Sequence, residues 1–187
     1  MASVGTSARQ PAARSARSEG SESQNWIACV PAMPRDAWHP KLQLFFDYWV
    51  AIAPAGRLPG RQHLDPVRLG PVLPHVWMLD VVRNGGAPRF RYRLAGTKEV
   101  ETLQREVTGR WFDEVHPLAP SHPIFERLAH MLEHGIPTYR RGVVGLTHER
   151  DHRTVENCML PFASDGVTVD LIVACSIIFY SNGQEAA

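Results

Sequence analysis

The residues of this chain that could do chemistry are scattered, and few of their spacings point to a reaction. His130 and His134 stand at i and i+4, the separation that places two imidazoles on one helix face and suits a metal ion. They flank the apolar stripe of their segment, and "HMLEH" lacks the Glu directly after the first His that a metal-assisted hydrolase uses as its base. Two solvated histidines are therefore expected. His148 and His152 border the polar stretch "ERD" and read as turn residues. No Ser or Cys stands on a strand-to-helix elbow, and no glycine-rich loop runs from a strand into a helix. Neither nucleophilic catalysis nor phosphate binding has a motif here. No catalytic residue and no metal is expected.

The stretch "RFRYRLAG" (89–96) is the strongest basic feature, with Arg89, Arg91 and Arg93 alternating against Phe90, Tyr92 and Leu94. A sheet that reads single-stranded nucleic acid carries its aromatics beside its basic residues, whereas these aromatics point away from the arginines. The chain has 20 Lys and Arg against 19 Asp and Glu, a formal charge of +1, so no overall field draws it onto a polyanion. Nucleic-acid binding is not expected. Arg91 and Arg93 are expected at a protein interface, with Asp47 and Asp80 as candidate partners.

The elements that position these residues follow from periodicity. Residues 1–35 begin with a run rich in Ser, Ala, Arg and Gly and are expected to be a disordered tail, followed by one domain over 36–182. In "WHPKLQLFFDYWVAIAP" the residues Trp38, Leu42, Phe45, Phe46, Trp49 and Ile52 make one stripe, predicting an amphipathic helix over 38–53. "HVWMLDVVR" and "RFRYRLAG" read as a hairpin whose turn uses Asn84 and Gly85 for positive φ. Helices over 97–106 and 121–135 follow, the second capped by Ser121, then strands over about 137–148, 153–163 and 167–180.

The last strand, "VTVDLIVACSIIFY", is apolar on both faces and so belongs in the middle of a sheet covered on both sides. The order predicts an α+β fold: a five-stranded antiparallel sheet, short helices on one face and helix 38–53 on the other, from its own subunit or from a partner. Three widely spaced cysteines, Cys29, Cys158 and Cys175, suit a reducing compartment, and a cytoplasmic location is expected. No apolar run approaches the roughly 18 residues that would span a bilayer.

Over about residues 40–180 a set of short motifs agrees in order and spacing with one known family. These are Tyr48-Trp49, Leu58-Pro59, Asp65-Pro66, Leu73-Pro74, Asp80, Arg91-Tyr92-Arg93, Gly96-Thr97, Thr108-Gly109 and Leu160-Pro161. In these motifs the chain resembles the stand-alone PAS-like proteins common in α-proteobacteria, long filed as a domain of unknown function. The resemblance implies a PAS fold and a sensory or regulatory role, with the output expected from a separate protein, a dimer contact or the N-terminal extension.

The PAS resemblance also implies where a small ligand would lie, between the sheet and its covering helices, lined here by Trp77, Tyr92, Trp111, Phe112, Phe125 and Leu128. The alternative is that these six fill an ordinary core. The flavin-binding branch of the family keeps a reactive Cys on the helix before its third strand, whereas Cys158 falls on a predicted strand, so flavin is not expected. Nor is haem, because His122, His130 and His134 are ordinary helical histidines. Left exposed, the stripe Leu42, Phe45, Phe46 and Trp49 would need a partner, and with Arg91 and Arg93 it is expected to form a homodimer interface. The expected function is a regulatory module that binds a small molecule or a protein and is not an enzyme. A single-stranded nucleic-acid binder and a small pocketed α+β enzyme are the alternatives.

Overall fold

Pro40 opens the first long helix, since its missing N–H is no loss in a first turn, and the His39 ring accepts the Lys41 N–H as a cap. This helix, α1 (Pro40–Ile52), ends where Ala53 turns extended ahead of Pro54. The structure is a computed structural model that describes residues 26–118, 121–143 and 154–186. The expected tail over 1–25 lies outside the described residues, as do His148 and His152.

Six strands form one antiparallel sheet: β1 (Trp26–Ala28), β2 (Val76–Val82), β3 (Arg89–Ala95), β4 (Thr138–Val143), β5 (Thr154–Phe162) and β6 (Leu171–Phe179). Their order is β1-β4-β5-β6-β2-β3. The first hairpin therefore meets the last strand, with Trp77 opposite Ala174, and β6 is central as its two-sided apolarity requires. The sheet exceeds the expected five strands because residues 26–35, expected in the tail, include β1, which pairs with β4 at the edge. Gly85 supplies the positive φ of the β2–β3 turn, at 79°.

Both faces of β6 are buried against different partners. Leu171, Val173, Cys175 and Ile177 join Leu42, Phe45, Phe46 and Trp49 of α1 in one apolar cluster. Ile172 and Ala174 face a second cluster with Phe112, Leu128 and Met131. That second layer is built from α2 (Thr97–Leu103), α3 (Phe112–Val115) and α4 (Pro123–His134). α2 is shorter than expected because Gln104 takes a left-handed conformation, and α4 is capped by the His122 ring rather than by Ser121. β6 begins at Leu171 rather than 167 because the Asp165 carboxylate holds the Val167 and Thr168 N–H groups in a turn.

The dipeptides that carry the family resemblance prove to be joined to one another. Trp49 Nε1 donates to the Pro161 carbonyl at 2.9 Å, and the Tyr48 hydroxyl accepts the Asp65 N–H at 2.6 Å. Ala163 N–H reaches the Pro59 carbonyl at 2.9 Å, and Gly109 N–H reaches the Tyr92 carbonyl at 2.7 Å. Both Arg91 and Arg93 pair with Asp80. These motifs hold the connector and the sheet edges in place, and the side chains that could meet a ligand have to be sought elsewhere.

Candidate functional site

Four of the six side chains expected to line a cavity fill the core instead. Trp77, Tyr92, Phe112 and Leu128 are all buried, with the Tyr92 and Phe112 rings stacked at 5.9 Å. Their polar atoms are satisfied within the protein: Trp77 Nε1 donates to Ser176 Oγ at 2.8 Å, and Tyr92 Oη lies 2.9 Å from His116 Nε2. Phe125 packs edge-on against Phe112. Trp111 is set apart, on the outer edge of β3 beneath the Arg89 guanidinium at 4.1 Å. With Trp77 Nε1 and Tyr92 Oη already partnered, these aromatics pack as core rather than as the lining of a site for a guest.

A pocket of about 220 Å³ lies beside that core, between α2, the end of β6 and the C-terminal segment. None of the six expected residues lines it. Its walls are Lys98, Glu99, Glu101 and Thr102 of α2 with Gln104 beyond, Ser176 and Ile178 of β6, His75, and finally Tyr180 and Ala186. Chain reversal after β6 brings the last two in, through the Ala186 N–H bonded to the Ile178 carbonyl at 2.7 Å.

The charges around the pocket are unevenly matched. Lys98 and Glu101 pair with each other at 2.9 Å. Glu99, by contrast, has no hydrogen bond or ion pair among the described residues, and desolvation pushes its carboxyl up to about 7. Burial, reinforced by Lys41, lowers the His75 imidazole, so it sits neutral in the wall. Outside the pocket Glu185 draws together Lys41, His75 and His39, the last two at 3.4 Å each. Burial works against that carboxylate, but the Lys41 hydrogen bond together with the charges of Lys41, His39 and His75 outweighs it and keeps the group low. The C-terminal segment is thereby clasped to the start of α1.

Gly96 sets the position of α2. A Cβ there would meet the Pro74 and Leu73 carbonyl oxygens at 2.4 and 2.5 Å, and the Gly96 N–H already bonds the Val76 carbonyl at 2.7 Å. Backbone on backbone cannot yield, so Gly96→Ala is expected to cost at least about 1 kcal/mol and to push α2 off the pocket. Urea unfolding of the variant measures the first effect, and hydrogen exchange across 97–103 the second. Wild-type behaviour in both would refute the close approach.

The residues expected at an interface have other work. Leu42, Phe45, Phe46 and Trp49 are core, 7% exposed or less, because α1 lies on the sheet of its own chain over β5 and β6. The exposed stripe on which a dimer through this helix rested is therefore covered. Arg91 and Arg93 are not under α1 either. Arg93 Nη1 donates to both Asp80 carboxylate oxygens at 2.8 and 3.0 Å, while Arg91 pairs with Asp80 at 3.7 Å and Arg89 with Asp113 at 2.9 Å. Asp47, the other candidate partner, is taken by Arg35. His130 is less exposed than its spacing suggested, because Trp26 of β1 covers it with ring centroids 5.0 Å apart.

Sequence reasoning missed the pocket because its walls share no motif. One signal was present: Lys98 stands three residues before Glu101, while Glu99 has no basic residue at helical spacing in either direction.

Comparison with known proteins gives one family. Its profile, described as PAS domain, matches residues 37–176, which leaves Ile178, Tyr180 and Ala186 of the pocket wall beyond the matched segment. No curated protein matches the chain. Among the described residues no helix is long and apolar enough to cross a membrane.

Proposed function

Since the chain belongs to the PAS domain family, we propose that it is a sensory or regulatory module that binds a small polar molecule between α2 and β6. The observation that carries this reading is the formed pocket with Glu99 unmatched in its wall. A desolvated polar group without a partner is costly unless a guest completes it. Tyr180 and Ala186 also line the pocket, so occupancy would bear on the Glu185 clasp and through it on α1. In this reading the module works by binding rather than turnover, and its output passes to a separate protein. The three arginines of the β3 strip are matched by Asp80, Asp113 and Glu114, which favours binding of a small molecule over that of a nucleic acid.

Native mass spectrometry of the full chain tests the proposal. Exposed to a library of small polar metabolites, the wild type is expected to carry a small adduct that Thr102→Trp, which fills the pocket from α2, abolishes. An adduct retained by the variant, or none on the wild type across the library, would overturn it.

A further inference from the structure

Within the small-molecule reading above, on which this inference rests, we propose that the pocket selects a small organic ammonium ion, paired with the Glu99 carboxylate and hydrogen-bonded by the Ser176 hydroxyl. The charge balance of the wall points to a cation. Lys98 and Glu101 neutralise each other at 2.9 Å, which leaves Glu99 as the one charge-bearing group of α2 in the pocket without a counterpart. An anion would be repelled by Glu99, and a neutral guest could hydrogen-bond it but would leave its charge unmatched.

Ser176 adds a direction. Its oxygen accepts from Trp77 Nε1 at 2.8 Å and from Asn157 Nδ2 at 3.0 Å, so both lone pairs are occupied and the hydroxyl hydrogen remains to donate. The pocket thus offers a carboxylate for an ammonium and a hydroxyl donor for an oxygen on the same guest. An amino alcohol has that pattern, and a volume of about 220 Å³ admits only a small one.

The same geometry makes binding pH-dependent. Glu99 is faced by Lys98 and Glu101 from α2, His75 from the turn before β2, Tyr92 from β3 and Tyr180 from the C-terminal segment, while Cys175 lies across β6 on the α1 face, near enough to feel its charge. Burial moves His75 down and Tyr92 and Cys175 up, all away from neutrality. Glu99, at about 7, is the group that changes charge there. A cation pairs with the ionised form, whose share grows from about a tenth at pH 6 to about nine-tenths at pH 8, so affinity rises about tenfold over that span.

Nuclear magnetic resonance titration of the full chain decides the matter with three probes of one shape: ethanolamine, neutral ethylene glycol and anionic glycolate. Saturable shifts in the amides of α2 and the end of β6 are expected with ethanolamine at pH 8, about tenfold weaker at pH 6 and lost in the isosteric Glu99→Gln. If ethylene glycol or glycolate binds as tightly, or Glu99→Gln binds ethanolamine unchanged, the cation is wrong while a ligand pocket stands. If none of the three binds at pH 8 the inference also fails, and the adduct on Thr102→Trp separately decides the pocket.

Discussion

Phe46→Ala is expected to destabilise the folded chain by about 3–5 kcal/mol, and to leave the mass of the folded protein in solution unchanged. Phe46 is fully buried, edge-on to Trp38 at 5.6 Å and tilted against Trp49 at 6.0 Å, with the Arg35 guanidinium 4.7 Å from its ring centre. Truncation removes the transfer free energy of the ring and leaves a cavity between α1 and the sheet that two neighbouring indoles are too rigid to fill. The Arg35 side chain, held by Asp47 at 2.7 Å, would lose the surface under it as well. Urea unfolding followed by tryptophan fluorescence gives the energy, and light scattering gives the mass. Unchanged stability with a halved mass would show that the helix is an interface after all.

Glu99→Gln is expected to stabilise the protein at pH 8 and to have no effect near pH 4. The folded carboxyl holds its proton to about 7, whereas in the unfolded chain it releases it near the ordinary 4.5. Below the unfolded value both states are protonated and the group favours neither. As pH rises from there through the folded value, the unfolded chain ionises first, so the wild type loses stability until both states are charged. At about 1.4 kcal/mol per unit this span is worth on the order of 3 kcal/mol, reduced to about 2 kcal/mol because Glu99 keeps part of its surface at the pocket mouth. Glutamine matches the protonated shape and escapes the cost. Thermal unfolding of both proteins from pH 4 to 8 measures the difference, and parallel curves would remove the desolvated carboxyl. The variant that gains this stability is also the one expected to lose ethanolamine, as happens where a site holds a group at the expense of the fold.

Most of the frame was legible in the residues because its signals are local. A stripe recurring with the helical period predicts α1, and alternation about Asn84 and Gly85 predicts the β2–β3 hairpin. The two-sided apolarity of β6 places it centrally without reference to any other segment. β1 escaped notice because Trp26–Ala28 is too short to show a period, and only the edge of β4 makes it a strand. The PAS resemblance offers the aromatics of β2, β3 and α3 as a lining, and the polar atoms of Trp and Tyr, which want partners, leave room for a ligand. Ser176 and His116 supply those partners from residues far along the chain.

Composition and periodicity by themselves determined that the chain is α+β, that its sheet is antiparallel with the last strand inside, and that α1 must bury an aromatic face. Tertiary structure alone decided that α1 covers its own sheet, because a stripe states how much apolar surface must leave water but not which surface receives it. It alone placed the pocket. A pocket exists where side chains fail to meet, and Glu99, Ser176 and Ala186 come to surround one such gap only after β6 has paired and the chain has turned back. The single legible trace was a carboxylate on α2 with no cation at helical spacing, whose significance depends on the desolvation that folding imposes.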